Sequence, residues 1–277
     1  MNVESIKSRL KQYSKKHRKV HQFTIIRFFQ ERFLYRLSIS AYKKYFLLKG
    51  GALVYVFGAE SSRYTKDIDF LIRQLDAEQS NLSAIFKEIS QIDGADGLVF
   101  DRNSIAIGTI QKEGQYKGIR IKITGKLGSI NQQLQIDIGV GDYLTSGPQE
   151  IFYPIIIEEL AQPILYGYSI ETLIAEKFEA MISLGEYNSR LKDFYDVYYF
   201  LESSNLSILE KAIQNTFNRR KTPIVKNHPV FEEVFYEDTK RNNQWKIFLE
   251  RNELKEIDFK EVHEKLISFL KPIYEKL

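Results

Sequence analysis

The chain has 277 residues, 43% of them hydrophobic and 27% charged, with a formal net charge of +4. That length allows one large domain or two modest ones around a sizeable core, and the composition is that of an ordinary globular protein. There is no cysteine, which excludes disulfides, thiolate zinc sites and a cysteine nucleophile, and the four histidines (His17, His21, His228, His263) show no metal-ligand spacing.

No apolar run approaches the roughly 18–20 residues of a membrane-spanning helix. The basic N-terminus also lacks the apolar centre of a signal peptide, so the expected location is the cytoplasm, with no membrane partner. The mild positive charge permits a nucleotide or RNA partner without requiring one.

In chain order, residues 1–45 read as helical. A cationic opening (Lys7, Arg9, Lys11, Lys15, Lys16, Arg18, Lys19) gives way to apolar residues at helical spacing, Ile26, Phe29, Phe33, Leu34 and Leu37. The opening is either a solvated helix face or an RNA contact. Phe46-Leu47-Leu48 then reads as a buried strand, and Gly50-Gly51 opens a short helix. Glycines at a strand-to-helix turn let backbone approach a phosphate, with the helix amides directed at it.

Asp67-Ile68-Asp69-Phe70-Leu71-Ile72 follows as a second strand, on which Asp67 and Asp69 share a face. Two carboxylates side by side on a hydrophobic sheet repel each other, and a divalent cation relieves the repulsion. Oxygen-only ligands select a hard ion, Mg²⁺ or Mn²⁺. Alone, a glycine pair is usually a turn and a DxD a solvated loop; the order strand, GG, helix, loop, DxD, strand is what points to nucleotide transfer.

Residues 76–92 read as an amphipathic helix, followed by short strand-like runs at 98–100, 104–110 and 118–124. Leu134-Gln135-Ile136-Asp137-Ile138 alternates as a further strand, on which Asp137 is either part of a polar edge or a third carboxylate beside Asp67 and Asp69. Residues 141–168, with Pro148, Pro154 and Pro163, read as a connection, and from Ser169 the pattern is helical with a break at 222–229. The expected organisation is a mixed α/β domain over 1–165 and an all-helical domain over 166–277.

In the helix Ser169–Leu184, Lys177 shares the face of Leu173, Ile174 and Met181. Either it snorkels to the rim, or it reaches into a cleft where it would meet a triphosphate as a point charge. Asp193 and Asp196 align with Val197, Phe200 and Leu201. Asp193 reads as a helix cap or an N-terminal dipole partner, and Asp196 as the ion-pair partner of Lys177.

Taken together, Lys49-Gly50-Gly51-Ala52-Leu53, Arg63-Tyr64-Thr65-Lys66-Asp67-Ile68-Asp69, Leu134-Gln135-Ile136-Asp137-Ile138-Gly139, Ala175-Glu176-Lys177-Phe178-Glu179-Ala180 and Arg190-Leu191-Lys192-Asp193-Phe194-Tyr195-Asp196 resemble the AbiEii/AbiGii toxin family of nucleotidyltransferases, from about residue 30 to residue 202. The resemblance implies a polymerase-β-like nucleotidyltransferase core with a mixed α+β sheet and a helical C-terminal lobe. It implies metal binding by Asp67 and Asp69, with Asp137 as third acid helping to activate the attacking hydroxyl. Gly50, Gly51, Lys66, Lys177, Asp193 and Asp196 would hold the nucleotide. It further implies an NTP substrate, an RNA acceptor such as tRNA, Mg²⁺ or Mn²⁺, and a separately encoded antitoxin of a type IV toxin–antitoxin or abortive-infection system. Ala52 departs from the serine usual in the wider superfamily, which removes a hydroxyl from the phosphate turn. Two rival readings are a small-molecule or protein hydroxyl as acceptor, and a non-catalytic NTP- or RNA-binding module.

Overall fold

The basic opening and the apolar run after it are two helices rather than one, α1 (Val3–Lys16) and α2 (His21–Ser38). Arg18 takes a left-handed conformation (φ 52°) and the Lys19 amide donates back to the Ser14 carbonyl at 2.9 Å, which stops α1. This computed structural model describes residues 1–58, 62–111, 117–141 and 144–277. It divides into two units, Met1–Gly141 with Pro148–Gly167, and Asp142–Gly147 with Tyr168–Leu277.

The first unit continues with β1 (Phe46–Lys49), α3 (Gly50–Gly58), β2 (Asp67–Ile72), α4 (Gln79–Gln91), β3 (Val99–Gln111), β4 (Lys117–Leu127), β5 (Ile130–Val140), β6 (Gln149–Phe152) and β7 (Ile164–Gly167). The strands form one mixed sheet in the order β3-β4-β5-β2-β1-β7-β6, parallel between β2 and β5 and between β1 and β7, antiparallel elsewhere. One face carries Ile68, Phe70, Ile136 and Ile138, all buried. Ring contacts of 5.4–5.8 Å among Phe33, Phe46, Phe70, Phe86 and Phe100 tie α2, α4, β1, β2 and β3 together. Side chains alternate along a strand, so Asp67, Asp69 and Asp137 emerge on the opposite face.

Three expectations are corrected here. The helix expected from residue 76 starts at Gln79, because the Asp76 carboxylate accepts the Glu78 amide at 3.0 Å in a local turn. The separate runs at 98–100 and 104–110 are one strand, irregular between Asp101 and Ala106. There Asp101 accepts the Asn103 amide and, through its carbonyl, the Ser104 hydroxyl, so polar residues read as a break. The stretch 141–168 (residues 142–143 lie outside the described residues) holds two strands of four residues, too short to show a period. Pro148, Pro154 and Pro163 flank them, where a missing N–H costs the ladder nothing.

Charges are also buried in this unit. Arg32 and Arg36 converge on Asp96 at 2.7–2.9 Å with all three fully inside. Glu31, equally buried, accepts the Ile156 amide at 2.8 Å. Burial pushes its carboxyl up to about 7 against that hydrogen bond and the charges of Arg32 and Arg27. An acid raised in the folded state binds its proton there while the unfolded chain has lost it. Its stabilising effect is therefore full below pH 4.5 and is lost as the pH rises toward 7, a change of about 3 kcal/mol. Glu31→Gln removes this slope, so the variant should melt above the wild type at pH 8 and level with it near pH 4.5. Melting below the wild type at pH 8 would show an ionised Glu31 paired with Arg32.

The second unit contains α5 (Ile170–Leu184), α6 (Leu191–Phe200), α7 (Leu206–Arg220), α8 (Glu233–Glu237), α9 (Thr239–Arg251) and α10 (Phe259–Tyr274). Ser169 caps α5 by accepting the Thr172 amide. Aromatic packing supplies the core: Phe178 meets Phe217, Phe231 and Tyr274, and Trp245 and Phe194 meet Phe259. No helix among the described residues is long and apolar enough to cross a membrane.

Candidate active site

Strand β1 runs directly into α3 at Gly50, whose φ of +62° is left-handed and favours glycine. A Cβ there would lie 2.2 Å from Oδ2 of Asp69, and a Cβ on Gly51 would lie 2.5 Å from Oγ1 of Thr65. The glycines thus make room for the acid strand and the loop before it. Thr65 in turn donates to the Asp67 carbonyl at 3.2 Å, fixing the start of β2. Ala52 is wholly buried in the first turn of α3, inside the core rather than at a surface a phosphate would touch. Lys66 is exposed immediately before Asp67.

The sheet register assembles the rest. Asp69 is paired with Lys49 on β1 and with Asp137 on β5, and Asp137 with Arg120 on β4. Partners in register point to the same side, so Lys49, Asp69, Asp137 and Arg120 form one row across four strands, cation–acid–acid–cation. Asp67 stands in the next row, opposite Gln135. Asp137 is 5% exposed, whereas Asp67 and Asp69 are half-buried.

Arg120 grips both oxygens of Asp137, Nε to Oδ1 at 2.8 Å and an η nitrogen to Oδ2 at 2.9 Å. The Asp137 hydrogen bonds raise Arg120 above its ordinary value; burial opposes this, and the charges of Asp137, Asp67 and Asp69 add to it. The sequence reading missed this arginine. The alternation Ile119-Arg120-Ile121-Lys122-Ile123 was visible, but the register that sets Arg120 against Asp137 was not.

Asp137 is held by Arg120 in this structure, and among the described residues no group of three or more His, Cys, Asp or Glu is arranged around a metal position. Asp67 and Asp69 remain a fitting donor pair, since Mg²⁺ takes one or two carboxylates and completes its shell with water and substrate phosphate.

In the second unit Lys177 is buried, with Nζ 2.7 Å from Oδ1 of Asp193 and 2.7 Å from Oδ2 of Asp196. The expected Lys177–Asp196 pair is therefore present, and Asp193 shares it. Arg190 adds a bond from Nε to the other oxygen of Asp193 at 2.6 Å. Burial would raise the Asp193 carboxyl, but Lys177 and Arg190 outweigh it and hold the group well below the usual carboxylate range. Asp193 is not a cap: it is the third residue of α6, whose N-terminal boundary residue Arg190 makes no capping bond with its side chain. The candidate residues thus form two groups, one in each unit.

Carboxylates on a mixed sheet beside a glycine turn suit an enzyme that handles nucleotides. The model of the nucleotidyl transferase AbiEii toxin family, a type IV toxin–antitoxin system, matches residues 32–265. The chain belongs to this family, and the match continues well beyond residue 202, where the sequence resemblance stopped, through α7 and α9 and into α10. Among solved structures, a candidate nucleotidyltransferase from H. pylori is 18% identical over 89% of this chain and 92% of its own, with a TM-score of 0.48. JHP933 from Helicobacter pylori is 16% identical over 89% of each chain, also at 0.48. No curated protein matches the chain.

Proposed function

We propose that this nucleotidyltransferase moves a nucleoside monophosphate from an NTP to a hydroxyl of an RNA, most simply the 3′ end of tRNA, releasing pyrophosphate, and acts in this way as a toxin countered by a separately encoded antitoxin. The observation that carries the reading is the row Lys49–Asp69–Asp137–Arg120 with Asp67 beside it, at the glycine turn into α3. Family membership supports the reaction class, and the mildly basic chain is compatible with a polyanionic acceptor.

In this reading the acceptor oxygen attacks the α-phosphorus, and the bond to the β-phosphate oxygen breaks. Asp67 and Asp69 would hold Mg²⁺, which when bound supplies neutralisation of phosphate charge. Asp137 takes the proton of the acceptor hydroxyl once one of its oxygens is released by Arg120. Fixed charges and positioning account for most of the acceleration.

The test is to incubate the protein with tRNA, Mg²⁺ and each α-³²P-labelled NTP. Label should pass to RNA from at least one NTP, and be lost on chelation or with an α,β-methylene analogue. No label on RNA from any of the four would overturn the RNA acceptor.

A further inference from the structure

Beyond Asp137 the acid face passes onto β4 and β3. On β4, Arg120 and Lys122 stand on the same side, about 7 Å apart along the strand. Their register partners on β3 are Gly108 and Ala106. Nothing lies within 4 Å of where a Cβ of Gly108 would be, and Ala106 and Lys122 are exposed. Two cationic side chains therefore rise beside a floor that carries no more than a methyl group, directly next to the three acids.

We infer that Arg120 and Lys122, over the floor of Gly108 and Ala106, form a phosphate-binding subsite adjoining Asp67, Asp69 and Asp137. The Arg120 guanidinium already presents two parallel N–H groups to a carboxylate, and that fork fits a phosphate equally well. Its side chain is 37% exposed, and its register partner on β3 is Gly108. Lys122 adds a compact charge that can follow a phosphate. Asp137 is then the residue that holds Arg120 ready. A bound phosphate that draws the guanidinium toward Gly108 frees an Asp137 oxygen next to Asp69.

This deepens the reading above, because the phosphate comes either from the triphosphate of the donor or from the backbone of the acceptor. Binding is therefore measured without turnover, using inorganic tripolyphosphate and, separately, tRNA whose 3′ end has been oxidised with periodate. The variants are Lys122→Ala, Gly108→Leu and Arg120→Ala combined with Asp137→Asn. The last of these leaves no buried carboxylate without its cation. Gly108→Leu, on an edge strand with open space, fills the floor while leaving the melting temperature unchanged.

Each variant is expected to weaken at least one ligand by roughly tenfold, the scale of one charge-assisted hydrogen bond. Loss of tripolyphosphate alone assigns the subsite to the donor tail, and loss of tRNA alone assigns it to the acceptor backbone. Wild-type affinity for both ligands in all three variants overturns the subsite, as does a wild type that binds neither. If the variants lose binding but the wild type transfers no label, the transfer reading falls and the subsite stands.

Discussion

Asp69→Asn is expected to lower nucleotidyl transfer by roughly a thousandfold with little change in melting temperature. Asp69 is central in the row, between Lys49 and Asp137, and asparagine keeps its shape while removing the charge a hard cation requires. Asparagine also keeps the side chain's size and one hydrogen-bonding oxygen, so the fold is expected to hold. Gly50→Ala should reach the same end by displacement. Its Cβ would fall 2.2 Å from Oδ2 of Asp69, and the left-handed backbone adds about 1–2 kcal/mol of strain. A catalytic group moved by about 1 Å loses on the order of a hundredfold in rate. Single-turnover label transfer with calorimetry on both variants checks this. A folded Asp69→Asn protein that transfers normally would end the proposed mechanism, and a fully active Gly50→Ala would show that the glycine serves only the turn.

What could be read in the sequence was local. Phe46–Leu48, the glycine pair and Asp67–Ile72 each carry their pattern within a few residues, so the strand, helix and strand around the acids were legible. Lys177 on an apolar helix face and Asp196 one turn into another signal a buried pair from the sequence alone. What stayed hidden depends on residues far apart in the chain. That Arg120 meets Asp137 is a matter of register between β4 and β5, and that Gly50 clears space for Asp69 depends on how β1 pairs with β2. The strands β6 and β7, four residues each, are strands because neighbours complete their ladders. β7 lies parallel to β1 through only two registered pairs, Leu47 with Tyr166 and Leu48 with Gly167.

Lys177→Met should destabilise the protein by about 3–5 kcal/mol, the cost of leaving buried carboxylates without their cation. Asp193 is fully buried and Asp196 is 1% exposed. Arg190 donates from Nε to Asp193 at 2.6 Å, but the lysine Nζ lies 2.7 Å from both acids. The loss also has a pH signature. A carboxyl held below its unfolded value of 3.8 contributes stability that is present above that pH and is lost as the pH falls through the folded value. The wild type should therefore keep the Asp193 contribution well into acid. In Lys177→Met burial raises the same carboxyl above 3.8, so the variant should gain stability relative to the wild type as the pH falls toward 3.8. Chemical denaturation from pH 3 to pH 8 reads both effects; equal stability at pH 7 would mean that the acids do not depend on the lysine. The triple variant Lys177→Met/Asp193→Asn/Asp196→Asn removes the buried charges together and should recover most of the stability. Its activity then separates two roles: loss of transfer in a stable triple variant would show that the cluster serves the reaction beyond stability, and normal transfer would make it a staple between α5 and α6.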